Sequence, residues 1–252
     1  MFHCDADVSI FDRLTSLSHN AKSTSNLIPF QDIFDDSKNP LVTLEEAVTH
    51  FDFDLKKHMF KLKRHLVTPE IQEKLQSVRG MNVDMAGSIW LYTIESPLFK
   101  EINSKLREGD AISVIRFYFP YLRIFLSALR CLRDQNAKFR NVNRGVRCDV
   151  VTSDPDSYQI GNKIFFPSFT STTATVSVLK SPLFFGDIGP RTMYQIHTSR
   201  AIDISPFAAH NEAEMLLPCG VSLRVIGVLP AGNGLTVVQL EDAEEEECVI
   251  KE

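Results

Sequence analysis

The stretch HNEAEMLLPCG, His210 to Gly220, sets Glu212 and Glu214 one residue apart, directly ahead of the apolar run Met215, Leu216 and Leu217. Side chains alternate between faces along an extended segment, so both carboxylates leave the same face, several ångströms apart. Two carboxylates so placed repel, and one of them holds its proton to higher pH than the other. That division suits a base or hydrogen-bonding group beside a permanently charged partner that stabilises a cation. The same pair would equally well cap an exposed loop ahead of a strand.

Around this stretch the chain has a β texture. Past Phe139 come short runs rich in Val, Ile, Phe and Thr, punctuated by Gly, Pro, Asn and Asp: GVRCDVV, KIFFPSFTSTTA, RTMYQIHT, AIDIS, AEMLLP, VSLRVIGVL and LTVVQLE. These predict roughly six or more strands. Upstream the period is helical. In VTLEEAV, Thr43 followed by Glu45 and Glu46 suits a capped first turn with acids at the positive end of the dipole. TPEIQEKLQSV (Thr68–Val78) opens with a cap and a proline, and SIWLYTIESPLFKEINSKLREG (Ser88–Gly109) and AISVIRFYFPYLRIFLSALRCLRDQ (Ala111–Gln135) repeat apolar residues three and four apart. Pro97 and Pro120 should start, kink or interrupt helices. A helical lobe over residues 41–140 followed by a β lobe over 141–252 is an α+β arrangement. Residues 1–40, polar around SHNAKSTSN and closed by Pro40, read as a loosely ordered arm.

Composition narrows the function. With 252 residues, 44% hydrophobic and 23% charged, the chain can bury a substantial core. A net charge of −5 argues against a general nucleic-acid binder. The basic cluster KKHMFKLKRH (Lys56–His65) and the acidic EDAEEEE (Glu241–Glu247) read as solvated surface. No apolar run reaches membrane-spanning length and no secretory leader is visible, so the expected address is cytoplasmic, with no membrane partner. The five scattered cysteines suggest no disulfide framework, and with neither a CxxC pair nor HExxH no metal is expected.

Two more constellations precede the glutamates. In NVNRGVR (Asn141–Arg147), Arg144 offers a forked donor for a phosphate and Gly145 lets a ligand approach the backbone. In FFPSFTSTTA (Phe165–Ala174), alternation puts Ser171 and Thr173 on one face with Phe169, leaving Thr170 and Thr172 on the other. Taken singly, the first also describes a surface turn and the second an ordinary Thr-rich edge strand.

Together, an Arg on the first strand, an aromatic and hydroxyl strand, and Glu-x-Glu before a third resemble the R-S-E signature of the arginine-specific mono-ADP-ribosyltransferases. Arg144 and Ser171 are about 27 positions apart and Ser171 and Glu212 about 41, spacings that agree with that family. LVTLEEAV, FYFPYLRIFLSAL, AIDISPF and EAEMLLPCGVSLRV extend the similarity to its eukaryotic-type branch over roughly residues 41–241. Thr173 departs mildly from the serine often found third in the hydroxyl triplet.

The resemblance implies a single catalytic domain over residues 41–252, with a helical lobe on a mixed or antiparallel two-sheet β core and NAD+ bound as substrate in the cleft. It implies transfer of ADP-ribose to arginine on an acceptor protein. Arg144 would hold the NAD+ phosphate or ribose, the Gly145 backbone the nicotinamide carboxamide, and Ser171 the ribose and Glu214. Phe184 would stack on nicotinamide, with Phe185 equally readable. Glu214 would stabilise the cationic ribose through its 2′-hydroxyl, and Glu212 would orient and deprotonate the incoming guanidine. SPFAAHN (Ser205–Asn211) occupies the position of the acceptor-recognition loop. Water as the acceptor, and a silent module that keeps the fold without turnover, remain open.

Overall fold

The computed structural model describes residues 32–51, 53–108, 116–133, 140–179, 185, 188–210 and 213–243. The first helix, α1 (Leu44–Val48), starts as the spacing of Thr43 and Glu46 requires. The Thr43 hydroxyl accepts from the Glu46 N–H at 3.2 Å, and the Glu46 carboxylate accepts from the Thr43 N–H at 2.9 Å. Two of the helix's orphan donors are thereby satisfied. Helix α2 (Lys56–Leu66) buries Leu62 and leaves Lys56, Lys57, Lys61, Lys63 and Arg64 in solvent, as the basic cluster suggested. Helix α3 (Pro69–Ser77) has its proline at the first turn, but the Thr68 hydroxyl donates backwards to the His65 carbonyl instead of capping.

The long apolar segment expected from Ser88 is two helices, α4 (Val83–Thr93) and α5 (Pro97–Glu108). Pro97 opens the second because a ring without an N–H fits a first turn and no later one. The first begins earlier than the periodicity indicated, at an Asn82 cap that accepts from the Met85 N–H at 2.9 Å. Gly87 lies inside it because a Cβ there would come within 2.7 Å of Leu44 Cδ2, where α1 crosses α4. Helix α6 (Phe119–Arg133) carries Pro120 in its first turn. Its Arg123 donates to the Asn39 carbonyl and pairs with Asp36, while Ile33 is fully buried in the helical core. Residues 32–40, read as the end of a loose arm, are therefore held against this lobe; residues 1–31 lie outside the described residues.

Among the described residues eight strands follow: β1 (Arg140–Val146), β2 (Lys163–Phe166), β3 (Thr170–Thr173), β4 (Arg191–Thr198), β5 (Ile202–Asp203), β6 (Glu214–Leu217), β7 (Val221–Gly232) and β8 (Leu235–Asp242), with short helices α7 (Val150–Ser153) and α8 (Val176–Leu179) between them. Where two sheets were expected, backbone pairing forms one eight-stranded ladder, in the order β2-β7-β8-β4-β1-β3-β6-β5. Of its pairs only β4 with β8 is parallel. The ladder is nonetheless folded over. β6 and β7 stand five places apart in that order, about 24 Å if the sheet were flat, yet the chain from Leu217 to Val221 reaches at most about 14 Å. The junction is thinnest between β1 and β3, which share a single backbone pair, Asn143 with Thr173. One continuous ladder thus does the work of two layers.

Two large apolar cores result among the described residues, beside a small cluster of Leu179 and Phe185. The first joins the helices to Phe169, Ile202, Ile204, Phe207 and Leu216. The second gathers Val142, Val146, Ile164, Phe166, Tyr194, Met215, Leu217 and Leu240. β6 feeds both, Leu216 to one side and Met215 and Leu217 to the other, which is why its sequence is an unbroken apolar run. Of the acidic tail, Glu241 belongs to β8 and accepts from Arg224, and the residues past Ala243 lie outside the described ones. Among the described residues no helix is long and apolar enough to cross a membrane.

The lobes meet through aromatic rings. Phe125 of α6 stacks on Tyr92 at 4.7 Å and meets Phe169, just before β3, edge-on at 5.2 Å. Phe125→Ala should cost about 3–5 kcal/mol, read as a lower urea midpoint with an unchanged slope, and Phe125→Leu well under half of that.

Candidate active site

The three motif strands are neighbours, with β3 between β1 and β6. Their register sets Asn143, Thr173 and Glu214 in one cross-strand row and Ser171 opposite Leu216. Directly opposed residues share a face, so Ser171, Thr173 and Glu214 lie on the side of Leu216 and Phe169, toward the helical lobe. Thr172 faces the other way, where its hydroxyl donates to the Met215 carbonyl at 2.8 Å and ties β3 to β6. Glu214 is buried, only 4% exposed, as the first residue of its strand.

Arg144 is 1% exposed. Its Nη1 donates to the Ser171 carbonyl at 2.7 Å, bridging β1 to β3 where the backbone ladder has only one pair. Burial lowers its pKa to about 10; Tyr194 and Tyr92 oppose that shift and Arg107 adds to it. It remains a cation at neutral pH. The arginine and serine of the expected triad are thus in contact, through the serine backbone, and the serine's strand is the neighbour of the one bearing Glu214.

Gly145 has a steric reason to be glycine. A Cβ there would come within 2.7 Å of the Phe185 ring. Phe185 is buried against Leu179, with the Arg191 guanidinium 5.6 Å from its ring centre. Of the two aromatic candidates, Phe185 therefore lies on Gly145, and Phe184 lies outside the described residues. So does Glu212, the first glutamate of the opening stretch.

The loop before the glutamates is anchored as far as Ala209. Asp203 accepts from the Ser205 N–H and hydroxyl, Phe207 is buried in the helical core, and the Ala209 N–H donates to Thr93 Oγ1 of α4 at 2.8 Å.

The helical lobe adds residues that the sequence reading passed over. Tyr92 of α4 is 1% exposed and acts electrostatically on Arg144. Asn103 of α5 donates to the Tyr92 hydroxyl at 3.0 Å, and Arg107, one turn further along α5, also acts on Arg144. The available signal was Asn103 and Arg107 four apart, a polar pair on one side of an otherwise amphipathic helix. Among the described residues no group of three or more His, Cys, Asp or Glu could hold a metal ion.

Three comparisons bear on this geometry. Residues 35–247 match the family model for NAD:arginine ADP-ribosyltransferases, ART. No curated protein matches the chain. Among solved structures, the ADP-ribosyltransferase HopU1 of Pseudomonas syringae pv. tomato DC3000 is similar at 19% identity and a TM-score of 0.64, over 88% of this chain and 99% of that one. The eucaryotic mono-ADP-ribosyltransferase ART2.2 aligns at 16% identity and 0.54, over 90% of this chain and 95% of its own. Vis, an ADP-ribosyltransferase of Vibrio splendidus solved in complex with agmatine, gives 16% and 0.54 over 79% and 90%. At these identities the structures speak for the fold, and the family model, which spans most of the chain, speaks for kinship: this protein belongs to the NAD:arginine ADP-ribosyltransferase family.

Proposed function

We propose that the protein, with residues 41–252 as its catalytic domain, transfers ADP-ribose from NAD+ to an arginine side chain of an acceptor protein and releases nicotinamide. The observation that carries this reading is the adjacency of β1, β3 and β6, which brings Arg144, Ser171 and Glu214 together from three separate stretches of sequence.

The residues suit the substrate. Arg144 supplies guanidinium donors for phosphate or ribose oxygens, and Ser171 adds a hydroxyl. Gly145 leaves its backbone open to an aromatic ring at the distance at which Phe185 now lies. Phe185, or Phe184 beside it, stacks on nicotinamide.

Glu214 carries the electrostatic part of the reaction. As the ribose bond to nicotinamide breaks, its electron pair leaves with nicotinamide and positive charge grows on the ribose. A carboxylate already in place stabilises that charge more than the ground state. Glu214 is suited to this because it is buried on a strand, so little reorganisation accompanies the step. Glu212 acts on the acceptor. A protonated guanidinium is a poor nucleophile, so a carboxylate must orient it and take its proton as nitrogen bonds to the ribose carbon. That Vis has been solved with agmatine, a guanidine compound, makes the same compound the natural test acceptor here.

With labelled NAD+ and agmatine, the wild type should label agmatine and release nicotinamide in equal amounts. Glu214→Gln should lower kcat for both by about a hundredfold to a thousandfold. Glu212→Gln should lose transfer to agmatine while keeping most nicotinamide release. Nicotinamide without labelled agmatine would assign water as the acceptor, and no consumption of NAD+ would overturn the reading. Gly145→Ala, which pushes Phe185 off the backbone, should raise KM for NAD+ roughly tenfold, about 1.4 kcal/mol of binding.

A further inference from the structure

Beneath Arg144 lies a buried polar contact to which the reaction outlined above gives no role. Tyr194 of β4 stands directly opposite Arg144 of β1, so the two side chains leave the same face of neighbouring strands. The Tyr194 hydroxyl is 2.6 Å from that of Tyr158, which arrives from the turn between α7 and β2. The rings are stacked at 6.4 Å, Phe166 meets Tyr194 edge-on, and both tyrosines are members of the second apolar core.

Packing alone does not account for two hydroxyls there. Two phenylalanines would fill the same volume without the cost of desolvating two oxygens, and replacing both partners of a buried hydrogen bond by apolar groups of like shape is nearly neutral. What distinguishes the place is the guanidinium beside it. Arg144 can only donate, so a hydroxyl next to it must turn its oxygen toward the cation and send its proton elsewhere. The Tyr158 hydroxyl, 2.6 Å away, is placed to accept that proton. That arrangement would set the Tyr194 oxygen toward Arg144, which it faces across the two strands and acts on electrostatically, and its proton toward Tyr158. Burial holds both hydroxyls well above the usual tyrosine range, so the pair stays neutral at physiological pH, and the Tyr194 charge state and that of Arg144 are mutually coupled.

We propose that Tyr194 and Tyr158 are a positioning pair for Arg144, fixing the plane of its guanidinium so that the donors beyond the Ser171 carbonyl are aimed at NAD+. The inference rests on the proposed role of Arg144 in NAD+ binding. Neither tyrosine touches the substrate; each acts through Arg144. The fixed end of the system is the turn that carries Tyr158, which is itself secured by the Gly161 N–H on the Val225 carbonyl at 2.8 Å and by Asn162 Nδ2 on the Asp156 carbonyl at 2.7 Å.

The test measures nicotinamide release against NAD+ concentration, together with melting temperature, for the full chain. Tyr194→Phe keeps the ring and removes the acceptor: KM for NAD+ should rise about tenfold, with kcat within about twofold and the fold intact. Tyr158→Phe, which frees the Tyr194 proton, should raise KM in the same direction by about threefold. The double Phe variant should melt no lower than wild type while keeping the raised KM, a combination a purely structural pair would not give. In an Arg144→Lys background, Tyr194→Phe should change KM no further, because the planar guanidinium it positions is gone. An unchanged KM in Tyr194→Phe, or a fall in melting temperature and kcat with KM untouched, overturns the proposal while leaving the functional reading in place. A wild type that releases no nicotinamide overturns that reading and the proposal with it, and is visible before any variant is made.

Discussion

The hydrogen bond from the Arg144 guanidinium to the Ser171 carbonyl is the constraint on which the site depends. β1 and β3 meet through one backbone pair, so the centre of the ladder would otherwise open at the point where the sheet folds over. A buried arginine side chain closes the seam. Taking a guanidinium out of water is expensive, and a removed partner leaves the other group buried without its bond, so the cost of truncating either side exceeds the worth of the contact itself. The incomplete ladder also has a use. Where the ladder has one pair, the Arg144 side chain can reach across to the Ser171 carbonyl of β3, the strand that pairs with the one bearing Glu214.

The helical lobe registers β3 against the loop that leads into β6. Tyr92, Phe125 and Phe169 form a ring cluster that couples α4 and α6 to the segment entering β3. The residue after Tyr92, Thr93, accepts from Ala209 in the loop that precedes the glutamates. One end of α4 therefore carries both the tyrosine that acts on Arg144 and the hydroxyl that tethers the loop. A change in the tilt of α4 would move the two together.

What was legible in the sequence was local. Thr43 with Glu46, and prolines 69, 97 and 120, mark helix starts because capping and ring geometry act within one turn. The strands announced themselves through composition, and the three motifs through order and spacing. The folding-over of the sheet was not legible, because it follows from the short link between β6 and β7 combined with pairings between strands far apart in sequence. Tyr194 and Tyr158 look like ordinary strand and turn residues until the ladder sets one opposite Arg144 and the other against it. Ile33 was lost in a polar stretch whose average composition outweighed one fully buried side chain. Gly145 could be read as a site for close approach, but that Phe185 is a ring meeting it depends on the loop after α8.

Glu214 has a mechanical situation that its strand decides. Ala209 is held by Thr93 and Glu214 opens β6, so four residues, His210 to Ala213, connect two fixed points. Glu214, buried in a strand between two layers, suits a charge that must already be in place when the transition state forms, since preorganisation is what makes such a group effective.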